Sequence, residues 1–161
     1  MKIKNGMPAL FVRDIEVSRR FYTGLLGLAP EIDMGKNIIL KEGITIWEIN
    51  PAHLIPQKLG YENLTAEAVC RFEIYFETDD IGAVSLRLKS SGVKFLHETH
   101  EETWGQRTIR FFDPDGHLIE IGEEMAVFLG RLYKNGLTVE EISLKTSMPV
   151  VDVKRFLGIK G

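Results

Sequence analysis

The chain repeats itself, and that constrains its fold more than any other feature. Residues 7–15 read Met-Pro-Ala-Leu-Phe-Val-Arg-Asp-Ile, and residues 73–81 read Glu-Ile-Tyr-Phe-Glu-Thr-Asp-Asp-Ile. Each is an extended run ending at an aspartate, Asp14 or Asp80, placed to cap a following helix. Helical spacing then appears twice, carried by Val17, Phe21, Tyr22, Leu25 and Leu26 and by Ile81, Val84, Leu86 and Leu88. Gly24 or Gly27 and Gly92 suit the helix ends. Each copy closes with a pair of strands, 36–41 with 44–50 and 107–113 with 118–122. The turns between them are Lys41-Glu42-Gly43 and Asp113-Pro114-Asp115-Gly116. The last strands also match, Ile46-Trp47-Glu48-Ile49 against Leu118-Ile119-Glu120-Ile121, which pairs Glu48 with Glu120 as Met7 pairs with Glu73. A strand, a helix and further strands, used twice, predict an α+β fold.

Strand parity assigns faces. In Phe72-Glu73-Ile74-Tyr75-Phe76-Glu77 the apolar set is 72, 74 and 76, so Glu73, Tyr75 and Glu77 turn away from the helix. Glu48 shares a face with Ile44 and Ile46, and Glu120 with Leu118. A carboxylate among apolar neighbours on a central strand is costly unless paired or metal-bound, whereas at a strand end it sits in water. Both alternatives stand for each glutamate.

Composition narrows the class. The chain has 161 residues, 44% hydrophobic and 27% charged, enough for one domain with an appendage. Its single cysteine, Cys70, excludes an internal disulfide and a cysteine zinc cluster. No apolar run is long enough for a membrane span or a signal h-region, so a cytoplasmic protein is expected. Net charge is −3, divided into about +3 over residues 125–161 and −6 over the rest. An acidic body does not attract nucleic acid at long range.

Two stretches carry a family resemblance. Val12-Arg13-Asp14-Ile15-Glu16, with Phe21-Tyr22 and Leu26-Gly27-Leu28, is one. Trp104-Gly105-Gln106-Arg107, with Phe112-Asp113-Pro114-Asp115-Gly116-His117-Leu118-Ile119-Glu120, is the other. Together they resemble the vicinal oxygen chelate superfamily, which includes glyoxalases, bleomycin resistance proteins and extradiol dioxygenases. The resemblance implies two βαβββ modules whose curled mixed sheets form a cup, over a domain of residues 1–124. It also implies a homodimer.

Carried over by motif, the cup's four metal positions are Met7, Glu48, Glu73 and Glu120. Three carboxylates without histidine favour Mg²⁺, Mn²⁺ or Ca²⁺ over Zn²⁺ or Ni²⁺. Metal-binding members usually carry histidine at the position of Met7, a soft and weak ligand. His117 stands where the family commonly has asparagine and reads as an exposed turn residue. His53, His97 and His100 lack motif support.

Two functions follow. One is a lyase, isomerase or dioxygenase in which vicinal substrate oxygens chelate a divalent ion that stabilises an enolate, with Glu48 or Glu120 as general base. The other is a cup without metal that binds a small, flat molecule between Phe11, Tyr75 and Trp104, as resistance proteins of this fold do.

Residues 125–161 read as a helical tail. A helix is predicted over 126–134, and a second is announced by the capping-box pair Thr138 and Glu141. Leu137 to Leu157 resembles a helix-turn-helix, with Ile142, Met148 and Val153 as core and Ser143 and Ser147 at the crossing. Its second helix would present Val150, Val151 and Asp152, poor readers of base edges, while Lys154, Arg155 and Lys160 offer a modest phosphate footprint. A dimer contact or a ligand-sensing regulator are the alternative uses.

Overall fold

A computed structural model describes residues 7–52, 54–65 and 73–159. His53, Cys70, Phe72 and Lys160 lie outside the described residues. Contacts divide the chain into two compact units, residues 1–71 with 112–117 and residues 72–111 with 118–161.

The first unit runs β1 (Ala9–Val12), α1 (Ile15–Arg19, continued as a π-helical turn Arg20–Leu25), β2 (Pro30–Asp33), β3 (Asn37–Leu40), β4 (Thr45–Glu48), α2 (Leu54–Leu59) and α3 (Tyr61–Thr65). Its sheet order is β1-β4-β3-β2, with β1 parallel to β4 and the rest antiparallel. Asp14 caps α1 as expected, its Oδ1 accepting from Glu16 N and Val17 N. Leu10, Val12, Ile38, Leu40 and Ile46 are buried with Ile15, Phe21 and Tyr22 of the helix. The turn Asp113–His117 belongs to this unit, held by Tyr22 Oη donating to Asp113 Oδ2 and by Arg13 Nε donating to Asp115 Oδ1. His117 is not the exposed turn residue expected. It is largely buried, with Nδ1 2.8 Å from Asp113 Oδ2.

The second unit repeats the pattern: β5 (Glu73–Thr78), α4 (Ile81–Ser91), β6 (Phe95–Glu101), β7 (Arg107–Phe112, its last residue grouped with the first unit) and β8 (Leu118–Glu123). Its sheet order is β5-β8-β7-β6, with β5 parallel to β8. Asp80 caps α4 through Ala83 N, and Gly92 ends it in the left-handed conformation. Ile74, Ile81, Leu88, Ile109, Phe111, Ile119 and Ile121 are buried. Each unit is therefore a βαβββ module with a mixed four-stranded sheet.

The tail belongs to the second unit as α5 (Met125–Lys134), α6 (Val139–Thr146) and α7 (Val150–Leu157). Phe128, Leu129, Leu132, Ile142 and Val153 form its core. The capping box of Thr138 and Glu141 is complete, and Ser143 Oγ donates to Met148 O at 2.6 Å across the turn. On α7, Val151 is exposed and Asp152 pairs with Arg155.

Candidate functional site

The open face of the second sheet carries its chemistry. Ile74 is buried while Glu73, Tyr75 and Glu77 are exposed, as parity on β5 predicts. In the parallel register Tyr75 faces Glu120 and Glu77 faces Gly122, so these side chains share one side of the sheet. On β7, burial of Ile109 and Phe111 leaves Arg110 on the opposite side from them.

Arg110 is the hub. Its Nε donates to Glu73 Oε2 at 3.0 Å, and its Nη1 donates to Glu102 Oε1 at 2.6 Å and to His97 Nε2 at 3.1 Å. Its Nη2 forms an ion pair with Glu120 Oε2. A guanidinium can only donate, so His97 Nε2 is the acceptor and the ring proton is on Nδ1, which donates to Glu98 O. Glu120 is 4% exposed. Burial raises its pKa, Arg110 opposes that, and the negative charges of Glu73 and Glu102 push it up again. Burial acts on Glu102 in the same sense, but hydrogen bonds from Arg110 and Thr108 outweigh it and hold that carboxyl low.

Beside the hub is a hydrogen-bonded aromatic frame. Tyr75 Oη donates to Glu77 Oε1 at 3.0 Å and accepts from Gln106 Nε2 at 3.0 Å. Gln106, only 4% exposed, also donates to Glu123 O and accepts from Trp104 Nε1 at 3.2 Å. Burial and the Glu77 carboxylate push the Tyr75 phenol up to about 12 against the opposing Gln106 bond, so it remains a donor at neutral pH. A Cβ on Gly122 would fall 2.8 Å from Gln106 Nε2 and 3.1 Å from Tyr75 Cε2. Glycine is therefore what lets the frame lie flat on the sheet. Tyr75 and Trp104 present exposed ring surface beside it.

Glu48 has other work. It lies opposite Val12 in the first sheet, on the side of α1. Its Oε2 accepts from Ile15 N at 2.9 Å, and its Oε1 meets Lys36 Nζ at 2.6 Å. Both contacts, Lys36 first, hold its pKa low. Phe11 and Trp47 share the other side, with ring centroids 5.8 Å apart in a small apolar cavity closed by Ile55 and Pro56 of α2.

The strand ladders also correct the expected pairing of Glu48 with Glu120. Counted from the capping aspartates, Val12 corresponds to Thr78, and their ladder partners are Glu48 and Glu123. Glu120 faces Tyr75, whose counterpart Ala9 faces Thr45. The repeat is thus offset by three residues from the sequence match, and the position matching Glu120 is a threonine.

Residues 6–126 match the family model for a glyoxalase-like domain. The chain belongs to the glyoxalase-like domain family, within the vicinal oxygen chelate superfamily. It is 31% identical over 118 residues to the uncharacterised Bacillus subtilis protein YraH, covering 70% of this chain and 91% of that one. A crystal structure of an Agrobacterium tumefaciens protein of unknown function is 33% identical with a TM-score of 0.65, covering 78% of this chain and 97% of that one. A bleomycin-binding protein crystallised with bleomycin shares the fold at 20% identity and a TM-score of 0.52, over 76% of this chain and 99% of that one. Glyoxalase-like proteins often use a divalent metal. Here the donors do not fit one. Met7 offers a thioether, Glu48 is engaged by Ile15 and Lys36, Thr45 stands at the position matching Glu120, and Glu73 and Glu120 hold Arg110. Among the described residues no three His, Cys, Asp or Glu side chains are grouped to hold a metal ion.

Proposed function

We propose that this protein binds a small organic molecule on the open face of its second sheet, with Tyr75 and Trp104 as the aromatic contacts and the Glu73–Arg110–Glu120 cluster as the polar one. The observation that carries this reading is the frame itself. Two aromatic side chains stay exposed, Tyr75 on β5 and Trp104 in the turn between β6 and β7, while a buried glutamine fixes both of their polar ends. Rigid aromatic surface beside a few oriented polar groups is the usual composition of a ligand site. A structural relative that holds bleomycin on this fold supports the same use. Phe11 lines the first sheet's own apolar cavity and is proposed as a ligand contact there, within the first unit. A homodimer remains part of the proposal, with size-exclusion and light scattering as its check.

The test is a thermal-shift screen of flat amines, peptides and glycopeptides, bleomycin included, on the full chain. A true ligand raises the melting temperature, quenches Trp104 fluorescence, and loses at least tenfold in affinity in both Tyr75→Ala and Trp104→Ala. Ligands that stabilise both variants as well as wild type would place binding elsewhere.

Burial and raised pKa favour a second reading for Glu120, proton transfer to or from a bound substrate. A turnover rate that is unchanged in Glu120→Gln would remove it.

A further inference from the structure

We propose that Arg110 is the resident cation of the second sheet's carboxylate cluster, taking the place that the family's metal-dependent members give to a divalent ion. Glu73 and Glu120 occupy two of the family's metal positions, and in this chain both carboxylates close on one guanidinium. Glu102 adds a third carboxylate at 2.6 Å, and His97 a neutral nitrogen. The acceptors come from four places, β5, β6, the loop after β6, and β8, so tertiary structure rather than local sequence brings them together.

The geometry suits arginine. Glu73, Glu102 and Glu120 surround one guanidinium, each on a different nitrogen, and carboxylates so placed repel each other unless a cation lies among them. A guanidinium sends donors in three directions from a planar fork, and here Nε, Nη1 and Nη2 each meet a different carboxylate. It is charged at every pH a protein meets. It also cannot exchange ligands as a metal does, because it is tethered to β7. Substrate oxygens therefore have no open coordination position at this point, and the cluster acts as a fixed polar wall. A purely structural salt-bridge network makes no claim about divalent ions, whereas this proposal does. Removing the guanidinium exposes hard oxygen donors of the kind that hold Mn²⁺, Mg²⁺ or Ca²⁺.

The proposal deepens the metal-free ligand reading, but the two fail separately, because the probe here is Mn²⁺ alone with no organic ligand. Mn²⁺ binding is followed by calorimetry and electron paramagnetic resonance on the full chain as wild type, Glu120→Gln, Arg110→Gln, Arg110→Lys and Arg110→Gln with Glu120→Gln. Wild type and Arg110→Lys are expected to show no saturable binding into the millimolar range. Arg110→Gln is expected to bind one ion with a dissociation constant on the order of 10⁻⁴–10⁻³ M, and the added Glu120→Gln to weaken that at least tenfold. Should Arg110→Gln fail to fold in chelator, recovery of its circular dichroism melt on adding Mn²⁺ supports the proposal equally. Saturable Mn²⁺ binding to wild type that Glu120→Gln abolishes would overturn it. So would a folded Arg110→Gln that ignores Mn²⁺, or an unfolded one that Mn²⁺ does not restore.

Discussion

Tyr22 donates its buried hydroxyl to Asp113 Oδ2 at 2.8 Å, tying the first helix to the Asp-Pro-Asp-Gly turn. The same oxygen lies 2.8 Å from His117 Nδ1, while Oδ1 accepts from Asp115 N and His117 N. Burial and the neighbouring Asp113 push the phenol's pKa well up, so it stays a donor throughout the accessible pH range. Tyr22→Phe keeps the ring and removes one hydrogen bond to a carboxylate. The expected cost is about 1.5–3 kcal/mol, read as a lower urea midpoint with an unchanged slope. A cost near zero would mean that the turn is positioned by Arg13 and Asp115 alone.

Glu48 gives the first unit a pH dependence of known sign. Its folded pKa lies below the unfolded value, chiefly because Lys36 and Ile15 N favour the carboxylate. Its stabilisation is therefore fully present above the unfolded pKa and disappears as pH falls through the folded one. Lys36 is mostly exposed, so solvent screening keeps the contribution of the ion pair itself small. Glu48→Gln should be less stable than wild type at pH 7 by that small contribution plus part of a helix cap. The two unfolding curves should begin to approach near the ordinary glutamate pKa of about 4.3 and meet only below the lower folded value. A constant difference down to pH 3 would assign the loss to packing instead.

Much of this organisation is readable in the residues. Asp14 and Asp80 announce their helices, Gly92 ends one, and the parity of β5 puts Glu73 and Tyr75 on the open face. The unread parts have physical reasons. β2 is four exposed residues and β6 is mostly polar, because both are edge strands whose burial is too slight to leave an apolar pattern. The slip between Glu48 and Glu120 arises because short strings of alternating aliphatic and acidic residues match at more than one offset. Only the ladder partner decides, and an odd offset reverses the face. Arg110 left a faint signal, an arginine on the side of β7 opposite Ile109 and Phe111. What it would meet there depended on three distant carboxylates.

Gly122 tests the frame from beneath. A methyl group there meets Gln106 Nε2 and the Tyr75 ring inside contact distance, so one or both must move. Gly122→Ala should cost about 1–3 kcal/mol as overpacking and shift the emission of Trp104, whose Nε1 bonds Gln106. Any ligand held by Tyr75 should weaken with it. Unchanged emission together with an unchanged melting temperature would show that the frame accommodates a side chain and is not fixed by the glycine.

Arg131 anchors the tail's first helix to the second sheet. It donates from Nη2 to Glu123 Oε2 at 2.7 Å and to Gly105 O at 2.6 Å, and from Nε to Glu123 Oε1 at 3.1 Å. Glu123 is buried at the end of β8, and its carboxylate also accepts from Arg107 N at 3.0 Å. Removing the guanidinium strands a buried carboxylate, which is the expensive way to break such a pair. Arg131→Met should therefore lose about 3 kcal/mol, and combining it with Glu123→Gln should return a large part of that loss. If the anchor is what holds α5, the single variant should also become protease-sensitive around residue 124, with the double variant protected again. A single variant as stable as wild type would mean that the apolar core of Phe128, Leu129 and Leu132 seats the tail unaided.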